Sequence, residues 1–147
     1  LTLAACVQGG KPPGPGGARG GPPAEEAEPN PDGCLLPSQR RMVVIEMFFG
    51  RDVPGRFPVR DVEWADFVAR QVAPRFPDGF TVFDATGQWL SPTHKRVARE
   101  ATKVVRIVVP GDSPDLPKRV HDIAELYKSR FRQESVGVTT EEACAVF

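Results

Sequence analysis

The chain has 147 residues, with 19 basic and 19 acidic side chains, 14 Gly and 16 Pro, which is enough for one domain and too little for two of ordinary size. A formal net charge of zero argues against the strongly basic balance of a nucleic-acid binder. No run reaches the roughly 18 consecutive apolar residues of a membrane-spanning helix.

The chain opens with Leu3-Ala4-Ala5-Cys6, which resembles the lipobox of bacterial lipoproteins: small residues before a Cys whose thiol takes a diacylglycerol and which becomes the new N-terminus. Residues 1–37 then hold 8 of the 14 Gly and 8 of the 16 Pro, a composition that cannot bury enough apolar surface to fold. A flexible chain of about 30 residues has a reach of roughly 30 Å. The layout expected is therefore residues 1–6 as the end of a lipoprotein-type signal peptide with lipidated Cys6, 7–37 as a disordered linker, and 38–147 as a single domain.

Within that domain, Met42-Val43-Val44-Ile45-Glu46-Met47-Phe48-Phe49 is a short apolar, partly β-branched run stopped by Gly50, the pattern of a strand buried on both faces except at Glu46. Asp61 is the expected cap of a helix whose stripe is Trp64, Phe67, Val68 and Val72, ending near Pro74. A second strand is expected from Phe80 to Ala85, broken at Thr86-Gly87, with a hairpin loop at Ser91-Pro92-Thr93 and a third strand from Lys103 to Val109. Leu116, Val120, Ile123, Ala124, Tyr127 and Phe131 define a second helix, with Ser113 or Asp115 as its cap. Ser135 to Thr139 reads as a last short strand.

This order, βαββαβ, predicts an α+β, ferredoxin-like domain: one antiparallel sheet with two helices on one face. The first and last strands are neighbours in that topology, which brings Cys34 and Cys144 together and predicts a disulfide between them. Side-chain alternation turns Val43, Ile45, Met47 and Phe49 toward the helices, together with Val105, Ile107 and Val109. The opposite face then carries Val44, Phe48, Val104 and Val108, joined by Val136 or Val138, with Glu46 pairing to Arg106 across the two central strands. An apolar sheet face left to water points to self-association or ligand binding, so Val44, Phe48, Val104, Arg106 and Val108 are the expected interface of a homodimer. A partner protein or small ligand stays open as another occupant.

Separated motifs run through the body: Phe48-Phe49-Gly50, Glu63-Trp64 with Phe67, Pro74-Arg75-Phe76-Pro77-Asp78-Gly79-Phe80, Asp84-Ala85, Gly87-Gln88-Trp89, Tyr127-Lys128, Gln133-Glu134-Ser135-Val136 and Cys144-Ala145-Val146-Phe147. Together they resemble the bacterial family known as domain of unknown function 3574. The resemblance implies an exported or lipid-anchored bacterial protein, periplasmic or at the cell surface, and brings no activity or ligand with it.

Chemistry is sparsely signalled. No His or Cys pair has metal-ligand spacing and no Gly-rich loop joins a strand to a helix, so neither metal nor cofactor is expected. His94 and His121 read as solvent-facing. The basic hairpin cluster His94-Lys95-Arg96, Arg99, Lys103 and Arg106 invites a nucleic-acid reading, but the central strands lack the paired aromatics on which RNA bases stack, so no nucleic-acid partner is expected. Polar residues inside otherwise structural motifs are the ligand-binding candidates: Asp84, Gln88, Trp89, Tyr127, Gln133 and Glu134. The reading that follows is a lipid-anchored, membrane-tethered module that binds or self-associates through its open sheet face. The alternative is a small dimeric, barrel-type enzyme acting on a small organic substrate, with Asp84 or Glu134 as general base.

Overall fold

A computed structural model describes residues 30–91 and 95–147; Cys6, most of the proposed linker and His94 lie outside the described residues. The elements follow the order β1 (Arg40–Gly50), α1 (Asp61–Phe67, continued by a π-helical turn over Val68–Val72), β2 (Thr81–Leu90), β3 (Val97–Val109), α2 (Leu116–Phe131) and β4 (Gly137–Ala145). The four strands form one antiparallel sheet in the order β2-β3-β1-β4. This is the ferredoxin-like arrangement predicted from the pattern of apolar runs.

Both helices pack on one face of the sheet. Ile45, Met47 and Phe49 of β1 and Val105 and Ile107 of β3 are buried against Trp64, Phe67, Ile123, Tyr127 and Phe131. The centre is aromatic, with the Tyr127 ring 4.8 Å from Phe49 and 4.7 Å from Phe131 between centroids. Such tilted and edge-on pairs add to the burial of large rings. Tyr127 is fully buried, and its hydroxyl donates to the Gly50 carbonyl at 2.8 Å, which satisfies a polar atom that burial would otherwise penalise. Burial also pushes its phenol well above the usual tyrosine range.

Four local expectations change. Asp61 is the first helical residue and Arg60 the cap; the Asp61 carboxylate pairs with Arg51 at 2.9 Å, while Glu63 reaches back to accept the Arg60 backbone N–H at 2.9 Å. The second strand runs unbroken through Gly87 to Leu90, and the third starts at Val97, because the two pair as a ribbon from Leu90↔Val97 inward. The last strand continues six residues past Thr139 to Ala145, pairing with β1 as far as Arg40; an edge strand tolerates the charges of Glu141 and Glu142 that interrupt the apolar pattern. Val136 packs against the helix-side core, and Val138, opposite Met47, also lies on that side, so neither joins the open face.

Cys34 and Cys144 are bonded, with Cα atoms 5.7 Å apart. Residues 30–39, most of which the composition assigns to the linker, form a loop organised around the Asn30 side chain. The Asn30 amide donates to the carbonyls of Leu36, Pro37 and Gln39, and its oxygen accepts the Asp32 N–H at 2.8 Å.

Candidate functional site

Two surfaces gather the residues singled out in the sequence. The first is the sheet face opposite the helices. The register sets Val44 against Val108, Glu46 against Arg106 and Phe48 against Val104, so the alternation expected from the sequence holds along both central strands. Arg106 lies between two carboxylates, 3.3 Å from Glu46 and 3.6 Å from Glu141 of β4. Around this row, Val44 and Val104 are already buried within the single chain at 3% and 7% exposure, while Phe48 and Val108 are half-buried. Phe83 of β2, opposite Val104, adds an aromatic ring that is 45% exposed. Neither helix lies over this face.

The second surface is a cleft of about 410 Å³ where the β2–β3 ribbon runs past the end of β1. Its walls are the ribbon (Trp89, Ala98, Glu100), the loop after β1 (Asp52 to Pro58) and the C-terminal end of α2 (Arg132 to Glu134). These three segments are tied to one another by polar contacts. Gln133 Nε2 donates to the Asp52 carbonyl at 2.5 Å and Arg132 Nη2 to the Pro54 carbonyl at 2.8 Å. The Ser91 hydroxyl, buried, donates to Glu134 at 3.1 Å. Trp89 Nε1–H donates to Glu100 at 2.9 Å, and the Asp52 backbone N–H donates to the other oxygen of the same carboxylate, also at 2.9 Å. Arg132 is the left-handed residue that ends α2, at φ 52°. This turn sends the chain across the cleft instead of continuing the helix.

Of the six ligand-binding candidates, Trp89, Gln133 and Glu134 meet at the cleft. Tyr127 is a core residue beneath it. Asp84 and Gln88 are on the other face of the ribbon, where Asp84 pairs with Lys103 at 2.5 Å and Gln88 accepts from Arg99 at 2.7 Å. Those two contacts also divide the basic hairpin: Arg99 and Lys103 point to one side of the sheet and Arg106 to the other. Glu100 and Arg132 carry no signal in the sequence, while Ser91 and Arg96 appear there only as parts of the hairpin loop and its basic cluster. Only the hairpin register, which sets Trp89 diagonally across from Glu100, reveals the first of them. Among the described residues, no group of three or more His, Cys, Asp or Glu side chains is placed to hold a metal ion, and no helix is long and apolar enough to cross a membrane.

The chain is similar to several solved structures, the first of which shares its fold. A phage SAM lyase in complex with S-methyl-5′-thioadenosine is similar at 17% identity and a TM-score of 0.55, the match covering 72% of this chain and 90% of that one. CutA from Synechococcus elongatus PCC7942 matches at 7% identity and a TM-score of 0.45, over 71% of this chain and 80% of its own. GlnK of B. subtilis, in complex with ATP, matches at 14% identity and a TM-score of 0.43, over 70% and 82%. No curated protein matches the chain. The motifs that run from Phe48 to Phe147 have their counterpart in a family match over residues 44–147, and the chain belongs to that family, described as Protein of unknown function (DUF3574).

Proposed function

We propose that this domain works outside the cytoplasm, held to a bacterial membrane through lipid on Cys6 and a Gly/Pro-rich tether, and that it docks through the helix-free face of its sheet, with a second copy of itself as the partner. The disulfide supports the location, since such bonds persist in oxidising compartments. The lipobox-like Leu3-Ala4-Ala5-Cys6 supports the anchor. The observation that carries the docking role is the composition of the bare face: Phe48, Phe83 and Val108 remain partly exposed around a row of three charges. An isologous dimer would bury this patch against itself, and a chain of zero net charge does not repel its copy.

Light scattering or sedimentation of residues 30–147 tests the docking role. A dimer is expected for the wild type and a monomer for Phe48→Glu, which would bury two uncompensated carboxylates at the contact. A wild type that stays monomeric at high concentration overturns it. Intact mass of the protein from its native cell, with and without reduction, tests the location, the expected result being a diacylated Cys6 and a bonded Cys34 and Cys144.

One observation favours a second reading, that of a small enzyme: Glu134 stands at the cleft with the Ser91 hydroxyl beside it. Asp84, paired with Lys103 on the other face, does not share that position. A metabolite that copurifies with the wild type, and is lost in a folded Glu134→Gln variant, would support this reading.

A further inference from the structure

Independently of the sheet face, we propose that the cleft beside the β2–β3 ribbon binds a small amine-bearing molecule of amino-acid type, with its ammonium on the Glu100 carboxylate against the Trp89 ring and its acidic group toward Arg96. The argument starts from charge. Within the described strands and helices, the other half-buried carboxylates each have a cation: Glu46 has Arg106, Glu63 has Arg56, Asp66 has Arg130 and Asp122 has Lys118. Glu100 is equally half-buried, yet its two oxygens are held by the neutral N–H groups of Trp89 and Asp52. Removing a carboxylate from water is costly, and neutral donors orient it without cancelling its charge. A cation is the missing complement.

The site is also shaped for such a guest. An ideal Cβ on Gly50 would lie 2.4 Å from a Glu100 carboxylate oxygen, so the absence of a side chain there lets the carboxylate rest against the backbone of β1. The indole bonded to that carboxylate offers a ring to an ammonium, which is drawn to an aromatic face as well as to the acid. Val53, Pro54 and Ala98 supply apolar wall, and about 410 Å³ suits a small metabolite. At the rim, Arg56 is committed to Glu63 through two contacts and Arg132 gives one nitrogen to Pro54. Arg96 is exposed and makes no ion pair among the described residues, which leaves its guanidinium to an acidic group on the guest.

The indole N–H signals of a ¹⁵N-labelled protein read this directly, because Trp89 donates into the site while Trp64 sits in the core and serves as the internal control. Phenethylamine and L-phenylalanine are the probes, with 2-phenylethanol as the neutral comparison. The Trp89 signal is expected to move and saturate with both amines, more tightly with L-phenylalanine, and not with the alcohol. Glu100→Gln should weaken amine binding about tenfold or more, and Arg96→Ala should abolish the preference for L-phenylalanine over phenethylamine. No movement with either amine up to about 10 mM, an equal response to 2-phenylethanol, or undiminished binding in Glu100→Gln overturns the proposal. Should Glu100→Gln fail to fold, Gly50→Ala keeps the acid and displaces its carboxylate from behind; loss of amine binding is expected there, and full binding counts against the site.

Discussion

The two faces of this sheet are built from nearly the same residues and end in different surroundings. On β1 and β3, one face presents Ile45, Met47, Phe49, Val105 and Ile107, all almost fully buried under the helices. The other presents Val44, Phe48, Val104 and Val108, apolar to a similar degree, with Glu46 and Arg106 opposite each other in the register. A half-exposed ion pair of this kind contributes about 0–1 kcal/mol to stability. Its larger effect is on specificity: a one-residue slip of either central strand would turn that strand's charge, Glu46 or Arg106, into the aromatic core without its partner. The pair therefore opposes the inverted arrangement, in which the other face would meet the helices.

Substitutions at adjacent residues give the sharpest test of that contrast. Phe49→Ala should cost about 3–5 kcal/mol of unfolding free energy, as deletion of a buried ring does, whereas Phe48→Ala in the monomer should cost about 1 kcal/mol; chemical denaturation measures both. Similar costs at the two positions would mean that the bare face is structural core. Next in size is the paired change Cys34→Ala with Cys144→Ala, expected to lower stability by about 2–5 kcal/mol through the long loop it opens, and visible as a shift of the same denaturation curve. Tyr127→Phe should then cost about 1 kcal/mol, since it removes only the hydroxyl bond to Gly50 and keeps the ring. Because that carbonyl lies next to the cleft, the indole signal of Trp89 should report the change while the fold persists.

The smallest effect is one of acidity. Bonding to the Arg56 guanidinium, helped by the Arg60 backbone N–H, holds the Glu63 carboxyl at about 2, down from 4.5. A carboxyl depressed in the folded state stabilises fully above its unfolded value, and loses that contribution as pH falls through the folded one. The melting temperature of wild type should accordingly exceed that of Glu63→Gln at pH 7, and the gap should close between about pH 4.5 and 2. A gap that stays constant with pH would show that the Arg56 contact carries no linkage to the fold.

The same contrast explains what was legible in the sequence. Alternation in the two central strands gave the element order, the two faces, the Glu46–Arg106 pair and, through topology, the Cys34–Cys144 pairing, because each is dictated by a period of two or by neighbouring strands. The ends of β1 at Gly50 and of β3 at Val109 were legible, but the end of β2, the start of β3 and the bounds of β4 were not. Val97 to Thr102 carries Arg99 and Glu100, and β4 carries Glu141 and Glu142, so the apolar signal fades where a ribbon or an edge strand is free to expose charge. The cleft was legible only in part. Trp89, Gln133 and Glu134 stood out as polar or aromatic residues within structural motifs, but their common location depends on three segments, after β1, along the ribbon and after α2, that meet only in three dimensions. Glu100 and Gly50 carry no local mark of their association, since the empty space beside a glycine has no sequence pattern.

The bridge between Cys34 and Cys144 also has a mechanical consequence. Tension applied along the chain that precedes Cys34 would, without it, be delivered to the start of β1 and peel that strand out of the sheet one hydrogen bond at a time. With the sulfurs joined, the load is shared at once with the end of β4, the strand that pairs beside β1 from Arg40 to Phe48. Two adjacent strands would have to move together, so bonds are loaded in parallel and not in series. If the domain is held by its N-terminal side, as proposed, the bridge is a covalent clasp at the point where a pull would first arrive.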